Sequence, residues 1–250
     1  FARHTFAMTG VSGGSVGLAV YRACRLQQPG AIGEAATEQG LKDCVNRFGS
    51  ADLLAPLVGA WFFEDAVARW LPQGCDHAGC GFLSRGLWFE GAMHGAVPEM
   101  EQGLVASRAS LLARTGTVHQ PYLFLNSTWV ESGERAIASE MMIDWHWFPG
   151  ARDQLAVLGS NITLTTASHN SARFPFTNAL GAVFAPAGHC APDVFERRGT
   201  MSKSTNTNTN SDNHTETKAK ACGHLADGGY FDNSGGHTTA DLLRLLDRCL

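Results

Sequence analysis

His4-Thr5-Phe6-Ala7-Met8-Thr9-Gly10-Val11-Ser12-Gly13-Gly14-Ser15-Val16-Gly17-Leu18-Ala19-Val20 carries three structural signals in close succession. His4 to Thr9 reads as a short strand, and Gly10 to Ser15 as a Gly-rich turn. Val16 to Gln28 carries apolar residues at helical spacing and stops before Pro29-Gly30. Strand, turn and helix therefore follow one another at once. The alternation continues along the chain, which predicts an α/β domain.

Pro121 to Thr128 and Asn161 to Ser168 are rich in β-branched and aromatic residues, and both read as strands. Arg135 to Met142 is a pairing partner for the first of them. Ser84 to Thr115 leans helical, broken near Gly95 and Pro98. Residues 51 to 71 are strongly apolar, and Pro56 limits any helix there to a start near it. That stripe is read as core first, and as a surface for lipid second. Residues 199 to 220 are almost wholly polar, with Met201 as the one sizeable apolar side chain. Such a tract cannot offset its ordering entropy, so it is read as a disordered insertion in one domain spanning residues 1 to 250. Thr238 caps a last helix, with Leu242, Leu243, Leu245 and Leu246 following. The chain begins on a core strand and ends inside a helix, so it is read as a piece of a longer protein.

Composition narrows the function. The 250 residues are 44% apolar and 17% charged, which excludes wholesale disorder. Net charge is −4 and no Lys/Arg run occurs, so nucleic acid is not an expected partner. The longest apolar run, Leu53 to Phe63, is too short to span a bilayer. Seven cysteines are scattered at positions 24, 44, 75, 80, 190, 222 and 249, and are read as reduced, partly buried thiols. Cys75-Asp76-His77-Ala78-Gly79-Cys80 lacks the second ligand pair that zinc needs, so it is read as a polar loop and no metal is assigned.

Gly10-Val11-Ser12-Gly13-Gly14 fits G-x-S-x-G, the nucleophile elbow, and its context of strand before and helix after is the one that motif requires. The glycines leave room for the sharp turn, and the helix N-terminus behind the serine favours negative charge. A P-loop would need Gly-Lys-Ser/Thr, and no lysine follows. The dinucleotide fingerprint fails at Ser12. Serine needs a base. Ser12, Asp227 and His237 fall in the order of an α/β-hydrolase triad, yet only ten residues separate Asp227 from His237, and His237 starts a predicted helix. Asn126-Ser127-Thr128, Asn161-Ile162-Thr163 and Asn213-His214-Thr215 fit the N-glycosylation pattern. The first two lie in predicted strands and chance matches are frequent, so no modification is expected. Trp145-His146-Trp147-Phe148 is read as packing rather than as an acyl pocket.

Gly10-Val11-Ser12-Gly13-Gly14-Ser15 near one end and Asp227-Gly228-Gly229-Tyr230-Phe231-Asp232-Asn233-Ser234-Gly235 near the other resemble the patatin-like phospholipase family. Ser168 to Phe176 is similar to the Ser/Ala-rich segment ending in Phe-Pro that precedes the aspartate motif in the family's bacterial members, so the resemblance is to a bacterial-type patatin domain. Pro121 to Glu134 looks like its internal strand pair. The resemblance implies a three-layer α/β domain, with a mostly parallel central sheet flanked by helices. It implies a serine lipid acyl hydrolase that cleaves carboxylic esters through a Ser12–Asp227 dyad and an acyl-enzyme. Gly10, Gly13, Gly14, Gly228 and Gly229 would shape the motifs, with the Gly13 amide as an oxyanion donor. No cofactor is implied. The partner is a phospholipid or neutral acyl ester, with membrane surface contact. The family's Gly-rich oxyanion loop has no counterpart in residues 1 to 9, and losing one such donor costs on the order of 10²–10³ in rate. The alternative is a catalytically inactive relative that binds lipid or membrane.

Overall fold

In the computed structural model, residues 4–27, 34–70, 85–115, 120–159, 161–175, 178–183 and 222–249 are described. The predicted insertion 199–220 and the Cys75–Cys80 cluster lie outside them.

The strand β2 (Tyr122–Trp129) orders the sheet. Seven of its eight residues are buried, because both of its faces are covered. Leu123 and Leu125 point to one cluster, with Ala19, Val20 and Ala23 of α1 (Gly13–Gln27). Met93 of α4 (Arg85–Ala96), Leu104 and Leu111 of α5 (Leu104–Thr115) and Leu164 of α7 (Leu164–Ser171) complete it. Phe124 points the other way, to Ile137 of β3 (Arg135–Ser139), Phe148, and Leu242 of α8 (Gly236–Cys249). Period-two alternation thus divides one apolar strand between two cores. Phe148 packs as expected, with its ring 5.8 Å from that of Phe124, whereas Trp145 and Trp147 are exposed.

The sheet is mixed, not mostly parallel. β1 (Ala7–Val11) runs parallel to β2, and β4 (Ala151–Asp153) runs parallel to β3. β3 and β6 (Gly223–Asp227) both run antiparallel to β2, and β5 (Gly181–Val183) runs antiparallel to β6. The tight connection from β2 into β3, through residues 130–134 with Gly133 at φ +71°, is a hairpin. A link that short can only reverse the chain, since a parallel return needs a long crossover.

β1 and β6 share the same edge of β2 end to end. β1 pairs from Ala7↔Tyr122 to Val11↔Asn126, and β6 begins at the next rung, Asp227↔Ser127. The two strands run toward each other and stop at one joint. This register brings Ser12 and Asp227 together.

Two further expectations change. Asn161 to Ser168 is not a strand: Thr163 caps α7, its hydroxyl accepting the Thr166 amide hydrogen at 3.0 Å. Burial of Leu164, Thr165, Ala167 and Ser168 on one short helix overrides the strand preference of Ile162, Thr163, Thr165 and Thr166. The thiols are not all reduced either. Cys24 of α1 and Cys44 of α2 (Glu34–Ser50) form a disulfide, and Cys222 is disulfide-bonded as well. The apolar stripe at 51–71 is the helix α3 (Leu54–Trp70), beginning two residues before Pro56. Leu57 and Ala60 are buried, while Leu54, Trp61 and Phe62 are exposed.

Candidate active site

Ser12 sits where β1 turns into α1, with φ at +52°. A left-handed non-glycine residue costs about 1–3 kcal/mol and needs surroundings that hold it. Here the surroundings are hydrogen bonds. The Ser12 amide donates to Ser171 Oγ at 3.0 Å. The Ser12 carbonyl accepts from the Ser15 and Val16 amides at 3.0 and 3.3 Å. Gly10 is indispensable for a steric reason: a Cβ there would lie 2.8 Å from Ser15 N and 2.9 Å from Leu18 Cδ1. Gly13 and Gly14 differ, since a Cβ on either meets nothing within 4 Å. They border open space in front of the helix. Their amide hydrogens have no partner among the described residues, as first-turn donors have none within a helix.

Ser12 Oγ donates to Asp227 Oδ2 at 2.6 Å, a length typical of a hydroxyl on a carboxylate. The two residues are 215 positions apart in sequence. Asp227 is buried, at 6% exposure. Its Oδ1 accepts the Gly229 amide hydrogen at 2.7 Å, so one oxygen is anchored and the other faces the serine. Its backbone is fixed at both ends: the amide donates to Arg173 O at 3.0 Å, and the carbonyl accepts from Thr128 Oγ1 at 2.9 Å. Gly228 and Gly229 are not left-handed, so their role is space rather than turning. A Cβ on Gly228 would sit 2.1 Å from the Asn126 carbonyl oxygen.

A buried polar cluster holds the joint, and most of its members were not singled out by sequence reasoning. Ser171 Oγ has one hydrogen and donates it to the Asn126 carbonyl. It therefore accepts from both the Ser12 amide and Ser15 Oγ, the latter at 2.7 Å. The Asn126 side chain accepts from Thr238 Oγ1 at 2.6 Å and donates to Gly10 O at 2.8 Å and Thr9 Oγ1 at 2.9 Å. Arg135 donates to Thr238 Oγ1 at 3.1 Å and pairs with Asp241 at 2.6 Å. Asn126 thus ties β1, α7 and α8 to the centre of β2. One signal for it existed: a lone amide ending the run Leu123-Phe124-Leu125, since buried amides must be satisfied.

No histidine among the described residues hydrogen-bonds to Ser12 or Asp227. His237 lies edge-on to Phe231, with its backbone amide on Asp232 at 2.9 Å. His224 pairs with Glu131 at 2.8 Å, and His169 with Glu90 at 2.7 Å. The His237 triad order is therefore not built. Burial holds His169 below the usual histidine range. Burial pushes Glu90 up, but the hydrogen bond and charge of His169, with Arg173 and Thr166, outweigh it and hold Glu90 below the usual carboxylate range.

The arrangement offers a hydroxyl on a carboxylate, presented at the N-terminus of a 15-residue helix with two amide donors unengaged among the described residues. No family model, curated protein or solved structure matches this chain.

Proposed function

We propose that the protein is a patatin-like serine lipid acyl hydrolase, with the three-layer α/β arrangement of that family. The observation that carries the reading is the 2.6 Å contact from Ser12 Oγ to Asp227 Oδ2, with Ser12 held left-handed before α1. Asp227 takes the Ser12 proton as Ser12 Oγ attacks an ester carbonyl. Negative charge on the carbonyl oxygen meets the Gly13 and Gly14 amides and the positive end of α1. The Ser12 amide does not contribute, because Ser171 occupies it. The alcohol leaves with a proton returned from Asp227. Water, deprotonated by Asp227, then releases the acid from Ser12.

An acyl lipid suits the exposed apolar surfaces of this protein. Tyr230, three residues past Asp227, stacks on Phe174 with ring centroids 6.2 Å apart, and both rings are exposed. Leu87 and Trp88 of α4 line a cavity of about 500 Å³ with Pro56, Gly91 and Ala92, and Trp61 and Phe62 of α3 are exposed as well. Aromatic clusters of this kind favour a lipid–water interface. Among the described residues, no helix is long and apolar enough to cross a membrane.

The test is labelling of the full-length protein by a fluorophosphonate, with turnover of long-chain acyl esters. Wild type should label and turn over. Ser12→Ala should do neither, and Asp227→Asn should lose at least 10²-fold in both. Labelling that survives Ser12→Ala removes the serine from the mechanism. A wild-type chain that stays unlabelled yet binds acyl-lipid vesicles is the inactive lipid binder instead.

A further inference from the structure

Two observations away from the dyad point in one direction. The first is the disulfide from Cys24 to Cys44, with Cα atoms 5.7 Å apart and both side chains fully buried, and the further disulfide at Cys222. Such bonds form and persist in oxidising compartments and are rare where thiols are kept reduced. A eukaryotic chain that acquires them on the secretory route also meets the transferase that modifies Asn-X-Ser/Thr.

The second is the position of Asn161 in Asn161-Ile162-Thr163. The sequence expectation placed it in a strand and dismissed it. It lies instead at an exposed turn position two residues before the cap of α7, after α6 (Gln154–Leu158). Its side-chain amide makes no hydrogen bond among the described residues, whereas its neighbours are held. Ile162 O accepts from the Leu104 amide at 2.9 Å, and the Leu164 amide donates to Gln102 O at 2.8 Å. The anchored backbone presents a free amide to solvent, at the opposite end of α7 from Ser171.

Asn126-Ser127-Thr128 is the contrast. Asn126 is 4% exposed, and its amide holds the joint between β1 and β2. A sugar there would stop the sheet from closing. Asn213 lies outside the described residues.

We infer that Asn161 is an N-glycosylation site. The ligand class is an oligosaccharide carried on a lipid pyrophosphate. Asn161 Nδ2 bonds to the anomeric carbon, the carbon–oxygen bond to the pyrophosphate breaks, and the amide proton passes to a base of the transferase. Nothing is oxidised or reduced. Thr163 supplies the hydroxyl the transferase reads before folding, and the same hydroxyl caps α7 afterwards. This inference does not depend on the hydrolase reading.

The test expresses the full-length protein in eukaryotic cells and treats it with peptide-N-glycosidase in ¹⁸O-labelled water. Peptide mass spectrometry then reads ¹⁸O-marked aspartate at each of the three positions. The expected result is a mark at 161 and none at 126. The gel shift on glycosidase treatment shrinks by one step in Asn161→Gln and is retained in Thr163→Ser. Absence of the mark at 161, whether the protein carries no glycan or carries it only at 213, overturns the proposal. So does a Cys24–Cys44 pair recovered as free thiols from the same cells.

Discussion

Gly228→Ala probes the joint on which the dyad depends. Gly228 follows Asp227 and lies flat against β2. A Cβ there would be 2.1 Å from Asn126 O, 2.9 Å from Asn126 C and 3.1 Å from Val11 Cγ1. Carbon and oxygen pack no closer than about 3.3 Å, so the chain must retreat by about 1.2 Å. The obstacle is backbone in the middle of the sheet, so no side-chain rotation relieves it. The same carbonyl holds Ser171, which holds the Ser12 amide, so β2 cannot yield without disturbing the serine as well. If Asp227 moves with Gly228, its 2.6 Å contact with Ser12 opens to about 3.8 Å, past hydrogen-bond reach. A 1 Å misplacement costs on the order of 10²-fold in rate, and overpacking costs about 1–3 kcal/mol. The assay is the rate of fluorophosphonate labelling, read below the unfolding midpoint, beside thermal unfolding of the same samples. Gly17→Ala in α1 is the control, since its Cβ meets nothing within 4 Å and helix propensity favours it by about 1 kcal/mol. Gly228→Ala should melt earlier and label about 100-fold more slowly, with Gly17→Ala labelling at the wild-type rate. Wild-type labelling and an unchanged midpoint in Gly228→Ala would refute the claim that this joint sets the dyad.

Ser12→Gly removes the proposed nucleophile and the left-handed strain together, so it should abolish labelling while raising stability by about 1 kcal/mol in urea unfolding. Reduction of the Cys24–Cys44 bond, which closes a 20-residue separation, should cost about 3 kcal/mol in the same measurement. Cys24→Ala/Cys44→Ala should start from that lower value and lose less on reduction than the wild type, because only the bond at Cys222 is left to respond. Stability should also fall with acid in a window set by His169, whose folded value burial holds below the usual range. Below about pH 6.5 the unfolded chain binds a proton at this imidazole that the folded chain resists, so stability is full above that pH and declines beneath it. The depressed Glu90 carboxyl adds a second loss lower still, below the ordinary carboxylate range. Urea midpoints at pH 7.5 and 5.5 read the first window, and His169→Gln should flatten it.

The two ends of the candidate site were legible in the sequence because each is marked by a local pattern. Ser12 follows a strand and precedes a helix within a few residues, and the elbow geometry is decided there. Asp227 stands at the head of Asp-Gly-Gly; Gly229 is required by Asp227 and Asn233 close at hand, whereas Gly228 is required by the distant Asn126 carbonyl of β2. The helices α4 and α5 were legible for the same reason, their boundary falling at Pro98. What escaped was non-local. β1 and β6 meet head-on because of their register against β2, and register depends on which rung of a distant strand each residue takes. Strand direction escaped with it, since an apolar run reads alike whichever way its neighbours point. The disulfide escaped because residues 20 apart meet only once α2 packs on α1. Thr163 misled through propensity, as a β-branched run became a helix under tertiary burial.

Asn126 marks where a better reading was available. An amide at 4% exposure must find partners for two donors and an acceptor, or lose about 1–3 kcal/mol for each group left unmet. Within a strand covered on both faces, backbone pairing is already spent on neighbouring strands. The side chain therefore needs polar groups from other elements, and Thr238 and Thr9 meet that need. A strand interrupted by one asparagine thus announces a place where several chain segments converge. In this protein that place is also where a hydroxyl and a carboxylate from opposite ends of the chain are brought into contact.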